Sequence, residues 1–142
     1  MFTGRKSHQQ LPSYYGLASV FVLPSLREPW GLVINEAEAS GLPVLVSKAC
    51  GGAEDLVREG VNGHTFDPTD VPALAERMRS LAASRYLKEM GKNSVNTVGE
   101  WGPERYASGI RKAVAGGARK NKPRWASYLT LGLAFPRFYG TL

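Results

Sequence analysis

The chain has 142 residues, of which 43% are hydrophobic and 21% are charged, and its formal net charge is +6. This length allows one domain with a hydrophobic core and excludes two, while the single cysteine, Cys50, excludes an internal disulfide or a cysteine-based metal cluster. The sequence has no long apolar run of the kind that spans a bilayer and no apolar signal region in its first residues, so we expect a cytoplasmic protein.

Helices and short apolar strands alternate along the chain. Helical patterns cover residues 12–18, 32–40, a turn at 55–57, 70–84, 86–98 and 103–117. Apolar strand patterns cover residues 20–23, 44–47 and the positions around Thr65 and Phe66. Strands that are apolar on both faces and alternate with helices indicate a parallel sheet covered on each side, with ligands beyond the carboxyl ends of the strands. The predicted fold class is α/β.

Two loops are predicted at that edge of the sheet, residues 25–31 and 48–52. Glu28 lies in the first loop, and Glu36 lies about one and a half turns inside the helix that follows it. A loop that enters a helix offers unpaired N–H groups and the positive end of the helix dipole to an anion such as a diphosphate, and Gly31 lets a ligand approach the backbone. The two carboxylates can accept hydrogen bonds from sugar hydroxyls at separate points. Taken as an isolated pair, they would be ordinary surface carboxylates.

Around these residues the chain resembles the retaining glycosyltransferases of the GT-B fold, of the glycosyl transferases group 1 type. The family pattern is a strand ending in Pro-Ser, then Glu-Pro-aromatic-Gly-Leu, Glu-Ala, Gly-x-Pro-Val and a glycine-rich turn. Its counterparts here are residues 20–25 (VFVLPS), 28–32 (EPWGL), 36–37 (EA), 41–44 (GLPV) and 50–52 (CGG). The resemblance implies a partial Rossmann-like parallel sheet with flanking helices, an incomplete GT-B C-terminal domain.

The resemblance also implies a reaction, the retaining transfer of a sugar from a nucleotide-diphosphate sugar, without a metal, a cofactor or a covalent nucleophile. Glu28 would be the catalytic residue and contact the donor-sugar hydroxyls, Glu36 would bind the ribose hydroxyls, and the N–H groups of Gly31 and Leu32 would face the sugar or diphosphate. The implied donor-binding residues are Glu28, Trp30, Gly31, Leu32, Val33, Glu36, Gly51 and Gly52. For Trp30, packing beneath the loop and stacking on the base both stay open.

Departures from the family pattern leave two hypotheses for the chain. The match covers only the later part of the donor half, and the acceptor domain and the upstream Arg and Lys that hold the diphosphate in the family have no counterpart. The chain is therefore either a donor-domain portion that works with a missing acceptor domain or partner chain, or a noncatalytic Rossmann-like fragment or interaction module. Glycoside hydrolysis is disfavoured, because one carboxylate precedes the helix that holds the other. Glu38 stands where the family has an apolar residue and predicts weaker local packing.

The chain ends in a basic segment. Residues 1–117 are predicted to form the partial nucleotide-sugar-binding domain and residues 118–142 a basic, poorly ordered tail, since residues 105–142 contain eight Lys and Arg and no acid. Such a tail is either solvated or in weak contact with an anionic membrane, which would make the protein peripheral to it, and no nucleic acid partner is expected. An open sheet edge predicts self-association. Cys50 is predicted to be packed, and His64 to lie in a surface loop.

Overall fold

The structure is a computed structural model that describes residues 3–120, with side chains described as far as residue 116. Its helices are α1 (Leu11–Leu17), α2 (Leu32–Ala39), α3 (Ala53–Leu56), α4 (Val71–Ala82), α5 (Leu87–Gly99) and α6 (Pro103–Lys120). Its strands are β1 (Phe21–Leu23), β2 (Val44–Ser47) and β3 (Gly63–Phe66). The predicted tail lies outside the described residues from residue 121 onward.

The three strands form one parallel sheet in the order β1-β2-β3. Phe21 lies opposite Val44 in the first pair, and Val44 lies opposite Gly63 in the second. Because all three strands run the same way, their carboxyl ends meet at one edge of the sheet. The predicted α/β fold with a parallel sheet and flanking helices is confirmed.

β2 is buried along its whole length and separates two apolar clusters. Its side chains alternate between the faces of the sheet, so Val44 and Val46 enter one cluster while Leu45 enters the other. The first cluster also contains Ile34, Ala37, Leu42, Cys50, Ala53, Leu56 and Val57. The second also contains Phe66, Leu81 and Met90. Cys50 is thus a packed residue of the core, as predicted.

Helix α2 ends at Ala39, close to the end that the sequence pattern predicts at residue 40. Gly41 has a φ of 75°, in the left-handed region. Its N–H donates to the carbonyl of Glu38 over 2.9 Å, and the N–H of Leu42 donates to the carbonyl of Ala37 over 3.1 Å. This pair of bonds is the Schellman arrangement that satisfies the last carbonyls of a helix. The chain therefore turns at the end of α2 and enters β2. The first residues of α2 lie at the carboxyl ends of the strands.

The prediction that His64 lies in a surface loop was wrong, because β3 begins earlier than the sequence suggests. Gly63 is the first residue of the strand, and a Cβ there would collide with the carbonyl of Val44 on β2. Glycine is typical of turns in a sequence, but here its missing side chain lets two strands approach each other closely. His64 follows in the strand, with its Nδ1 at 2.9 Å from Glu59 Oε2.

Glu38 is completely buried within this fold. The Nδ2 of Asn62 donates to Glu38 Oε1 over 2.8 Å and to the carbonyl of Leu56 over 2.9 Å, while Asn62 Oδ1 accepts the N–H of Arg58 over 2.7 Å. Glu38 Oε2 is without a hydrogen-bond partner among the described residues. Burial raises the pKa of Glu38 to about 7, against the opposing effects of Arg58 and of the bond from Asn62.

The chain divides into two compact units, residues 1–102 and a second unit that starts at Pro103. The sheet and the helices α1 to α5 belong to the first unit, and α6 belongs to the second. Helix α6 continues past Gly116, where the sequence pattern predicts its end, as far as Lys120. Within residues 3–120, none of the helices combines the length and the apolar character needed to cross a bilayer.

Candidate functional site

The two loops predicted at the ligand edge are joined to each other by backbone hydrogen bonds. The N–H of Glu28 donates to the carbonyl of Ala49 over 3.3 Å, and the N–H of Gly51 donates to the carbonyl of Glu28 over 2.9 Å. The N–H of Gly52 donates to the carbonyl of Trp30 over 2.9 Å. These bonds prolong the β1–β2 pairing beyond the strands, so the loop after β1 and the loop after β2 form one unit.

Gly51 and Gly52 are required by this contact between the loops. A Cβ on Gly51 would collide with the carbonyl oxygen of Pro29, and a Cβ on Gly52 would lie 2.6 Å from the carbonyl oxygen of Trp30. Both are shorter than real Cβ contacts, and both neighbours are backbone atoms that side-chain rotation cannot move. Loop packing thus accounts for both glycines, and their contact with a donor stays a prediction.

Helix α2 begins at the same edge without a side-chain cap. Gly31 occupies the N-cap position with a φ of 90°, and its carbonyl accepts the N–H of Ile34 over 2.8 Å. In the part of the chain that the structure describes, the N–H groups of Leu32 and Val33 donate to no protein acceptor, and both side chains are exposed. These two donors and the positive end of the helix dipole are available to an anion.

Glu28 lies in the loop immediately before this helix and is half-buried. Its Oε1 is 3.4 Å from the N–H nitrogen of Trp30, which is a long hydrogen bond. Burial raises the pKa of the neighbouring Cys50 thiol, and the charge of Glu28 raises it further. The thiol therefore stays protonated at neutral pH, which disfavours Cys50 as a nucleophile.

Glu36 lies in the second turn of α2 and faces α1. The hydroxyl of Tyr15 donates to Glu36 Oε2 over 2.8 Å. Burial raises the pKa of Tyr15 to about 12, and the hydrogen bond to Glu36 and the charge of Glu36 add to this effect. Both residues line a pocket of about 260 Å³, whose lining consists of His8, Leu11, Pro12, Tyr15, Glu36 and Ser40.

Tyr15 is the residue of this site that sequence reasoning missed. It belongs to a short helix whose pattern marks no functional position, and its partner is 21 residues away in the chain. Only the packing of α1 beside α2 brings the two side chains together, and no local signal in the sequence reports that packing.

Trp30 packs beneath the loop, which is one of the two roles that the sequence leaves open for it. Its Nε1 donates to Asn35 Oδ1 over 3.2 Å, and its ring lies 5.6 Å from the ring of Trp101 at an angle of 58°. This tilted geometry is favourable for aromatic pairs, and the indole packs against the apolar cluster under the loop. Stacking of Trp30 on a nucleotide base stays a prediction without geometric support.

A metal site does not emerge from the described residues. Within residues 3–120, no group of three His, Cys, Asp or Glu side chains comes together as possible ligands. The chemical groups that the site does offer are two carboxylates, a phenol and two helix-start amides. These are hydrogen-bonding groups for hydroxyls and an anion.

A parallel sheet that ends in two joined loops, followed by an uncapped helix with paired carboxylates, defines a domain of the GT-B glycosyltransferase class. The family model described as Glycosyl transferases group 1 matches residues 1–97. The chain belongs to this family.

The curated relatives are much longer than this chain. Sulfoquinovosyl transferase SQD2 of Arabidopsis thaliana is 39% identical over 93 residues, which is 63% of this chain and 18% of that protein. Sucrose-phosphate synthase of Zea mays is 35% identical over 127 residues, which is 84% of this chain and 12% of that protein. The chain thus spans less than a fifth of the length of either relative.

Two solved structures have a similar fold. The sucrose-phosphate synthase of Thermosynechococcus elongatus superimposes with a TM-score of 0.67 at 35% identity, over 82% of this chain and 30% of that one. The C-terminal domain of the glycosyl transferase group 1 family protein LpcC of Francisella tularensis gives a TM-score of 0.61 at 24% identity, over 68% of this chain and 50% of that one. At that lower identity the second likeness concerns the fold alone.

Proposed function

We propose that this chain is part of the donor site of a retaining glycosyltransferase and binds a nucleotide-diphosphate sugar. The observation that carries the proposal is the arrangement around α2, where Glu28 precedes the uncapped helix start and Glu36 lines a pocket beside Tyr15. Carboxylates at two separate points, with anion-binding amides between them, suit a ligand with hydroxyls at both ends of a diphosphate.

Each group has a distinct role in this proposal. Glu28 accepts hydrogen bonds from hydroxyls of the donor sugar, and Glu36 accepts them from the ribose in the pocket between α1 and α2. The N–H groups of Gly31 and Leu32, together with that of Val33, face the sugar or the diphosphate, where negative charge grows as the bond to the sugar breaks. Donors that are already oriented toward that charge stabilise the transition state more than the ground state, which is the source of rate acceleration.

Catalysis in this proposal also needs an acceptor site and cations that neutralise the diphosphate. The matched part corresponds to less than a fifth of either curated relative. We place the acceptor site and the cations that neutralise the diphosphate on a longer parent chain or on a partner chain. The donor site proposed here would supply the sugar nucleotide to a cleft completed by that second part.

Titration calorimetry with UDP-glucose, GDP-mannose and ADP-glucose tests the proposal. We expect one of them to bind, and we expect Glu36→Gln to weaken that binding by at least about ten-fold, because the amide replaces one acceptor oxygen by a donor and removes the negative charge. Glu89→Gln is the matched control, since Glu89 is an exposed carboxylate in the first turn of α5. Binding that Glu36→Gln leaves unchanged would refute the assignment of the site.

A noncatalytic interaction module is the second candidate, and the sheet edge favours it. Among the described residues β1 pairs only with β2. Beside β1 lies a cavity of about 400 Å³, lined mostly by apolar residues: Ser19, Val20, Val22, Met78, Leu81, Ala82 and Leu87. An edge of this kind accepts a further strand, from a second copy of the chain or from a partner. A folded protein that binds none of the three sugar nucleotides and sediments as a dimer would favour this role.

A further inference from the structure

Helix α6 carries an exposed apolar stripe. Tyr106, Ile110 and Val114 follow one another at intervals of four residues, so their side chains lie above one another on one face of the helix. Their exposed fractions are 74%, 48% and 67%. Three large apolar side chains at this spacing form a continuous apolar surface rather than isolated exposed residues.

The polar surface of α6 is basic. At about 100° of rotation per residue, Arg111 flanks the stripe and Lys112 lies on the opposite side of the helix. Glu104 is the one acid in the sequence of α6, and it lies in the first turn. A helix with an apolar stripe, a basic polar side and low overall hydrophobicity has the features of a helix that lies flat in a membrane interface.

The charge of α6 and of the sequence that follows it points to an anionic surface. Residues 105–142 contain eight Lys and Arg and no Asp or Glu, whereas residues 1–104 contain ten Lys and Arg against twelve acids. The positive excess of the whole chain therefore belongs to the segment that contains the stripe. Lys and Arg near a surface of anionic lipids each strengthen binding by about 1 kcal/mol, or roughly five-fold.

Two other occupants of the stripe fit the observations less well. A second copy of α6 would bring two basic segments together, and like charges at close range oppose that pairing. A nucleic acid would use the basic side chains but leave the apolar stripe in water. An anionic membrane is the partner that satisfies the charge and the apolar surface at once.

We propose that α6 binds the surface of an anionic membrane as an in-plane helix. Tyr106, Ile110 and Val114 enter the boundary between headgroups and acyl chains. Arg111, at the flank of the stripe, lies at the level of the phosphates, and Lys112 on the opposite side faces the water next to them. The helix has 18 residues, and it lies along the surface without crossing the bilayer. This role goes beyond donor binding and does not depend on it.

Co-sedimentation of the full chain with vesicles tests the role of α6. We expect binding to phosphatidylcholine vesicles that contain roughly one third phosphatidylglycerol, and little binding to phosphatidylcholine alone. The double variant Ile110→Ser/Val114→Ser should bind at least about ten-fold more weakly, since it removes several buried CH₂ equivalents. Arg111→Gln/Lys112→Gln should also weaken binding by an order of magnitude or more, at roughly five-fold per charge.

Matched controls test whether membrane binding depends on α6 in particular or on any exposed charge or apolar side chain. Val71→Ser changes a valine that is 69% exposed on α4, and Lys88→Gln/Lys92→Gln removes two exposed charges from α5. Both controls should bind like the wild type. Because all the altered side chains are exposed or half exposed, circular dichroism is expected to show the same folded state for every variant.

Three outcomes would overturn the proposal. The first is no binding to the anionic vesicles. The second is unchanged binding by Ile110→Ser/Val114→Ser, which would mean attraction by charge without the stripe. The third is tight binding of a single-stranded RNA that displaces the protein fully from the vesicles, with an affinity that Ile110→Ser/Val114→Ser does not change. That result would assign the basic segment to nucleic acid.

Discussion

The hydroxyl of Tyr15 donates a 2.8 Å hydrogen bond to Oε2 of Glu36 and so joins α1 to α2 across the proposed ribose pocket. This bond occupies one carboxylate oxygen of Glu36 and leaves the other for a ligand. It also restricts the rotation of a side chain that would otherwise sample several conformations, and the entropic cost of that ordering is met before a ligand arrives.

Tyr15→Phe is expected to weaken the binding of the sugar nucleotide by roughly five- to ten-fold, the effect of about 1 kcal/mol from one lost positioning hydrogen bond. Calorimetry measures the change. Tyr14→Phe is the matched control, since Tyr14 is the adjacent residue and 41% exposed, and it should bind like the wild type. Equal affinities for Tyr15→Phe and Tyr14→Phe would show that the bond does not prepare Glu36 for the ligand.

Glu38 predicts a fall in stability as the pH rises. Its pKa is raised from 4.5 to about 7 in the folded state, so the unfolded state ionises first and stability is lost from about pH 4.5 to pH 7. The loss is at most about 3 kcal/mol. Glu38→Gln resembles the protonated form, so it should match the wild type at pH 4 and exceed it in stability above pH 7.

Denaturant unfolding of the wild type and Glu38→Gln across that pH range isolates this effect. Glu59 acts in the opposite sense, because although burial raises its pKa, hydrogen bonds from Thr65 and His64 lower it overall. That contribution is common to both proteins and cancels in their difference. A difference that does not vary with pH would show that Glu38 keeps the same protonation state in the folded and the unfolded protein.

Asn62 is expected to be among the most sensitive polar positions of the chain. It is completely buried, and Asn62→Ala would remove the partner of Glu38 and leave the N–H of Arg58 without its acceptor. We expect a loss of about 2–4 kcal/mol, since each buried polar group left unpaired costs about 1–3 kcal/mol. Asn96→Ala, at an exposed position of α5, should change stability by less than about 0.5 kcal/mol. Thermal and urea unfolding provide the comparison.

Gly51→Ala is expected to destabilise the fold by roughly 2 kcal/mol or more, because its Cβ would meet the backbone of Pro29 and separate the two loops. Gly109→Ala is the control, since a Cβ at that helical position meets no atom within 4 Å. Alanine favours a helix over glycine by about 1 kcal/mol, so this control should be neutral or stabilising. Equal effects of the two substitutions in urea unfolding would argue against the loop contact.

Regular elements of the fold follow from local sequence. Asp70 caps α4 by accepting the N–H of Ala73 over 2.9 Å, and Gly41 ends α2, each where residue type predicts. The fully apolar pattern of β2 predicts its central place, because a strand covered on both faces needs apolar side chains on both. These outcomes depend on interactions within a few residues or on burial alone.

Contacts between distant segments were beyond sequence reasoning. Glu38 stands where the pattern favours an apolar residue, and its partner Asn62 lies 24 residues away, in the turn before β3. The glycines around residue 63 are typical of a turn, whereas the role of Gly63 in the fold is to let β3 approach β2. A single sequence reports composition and period, and it does not report which polar residues meet after the chain has folded.

Backbone hydrogen bonds between the loops after β1 and β2 make the site a continuation of the sheet. Opening the site therefore means fraying two strands, and the amide protons of Gly51 and Gly52 should exchange with solvent at rates close to those of β2 rather than at loop rates. We therefore expect this edge of the sheet to be more rigid than a free loop, so that side chains of the first loop can be exchanged without changing the path of the backbone that presents them.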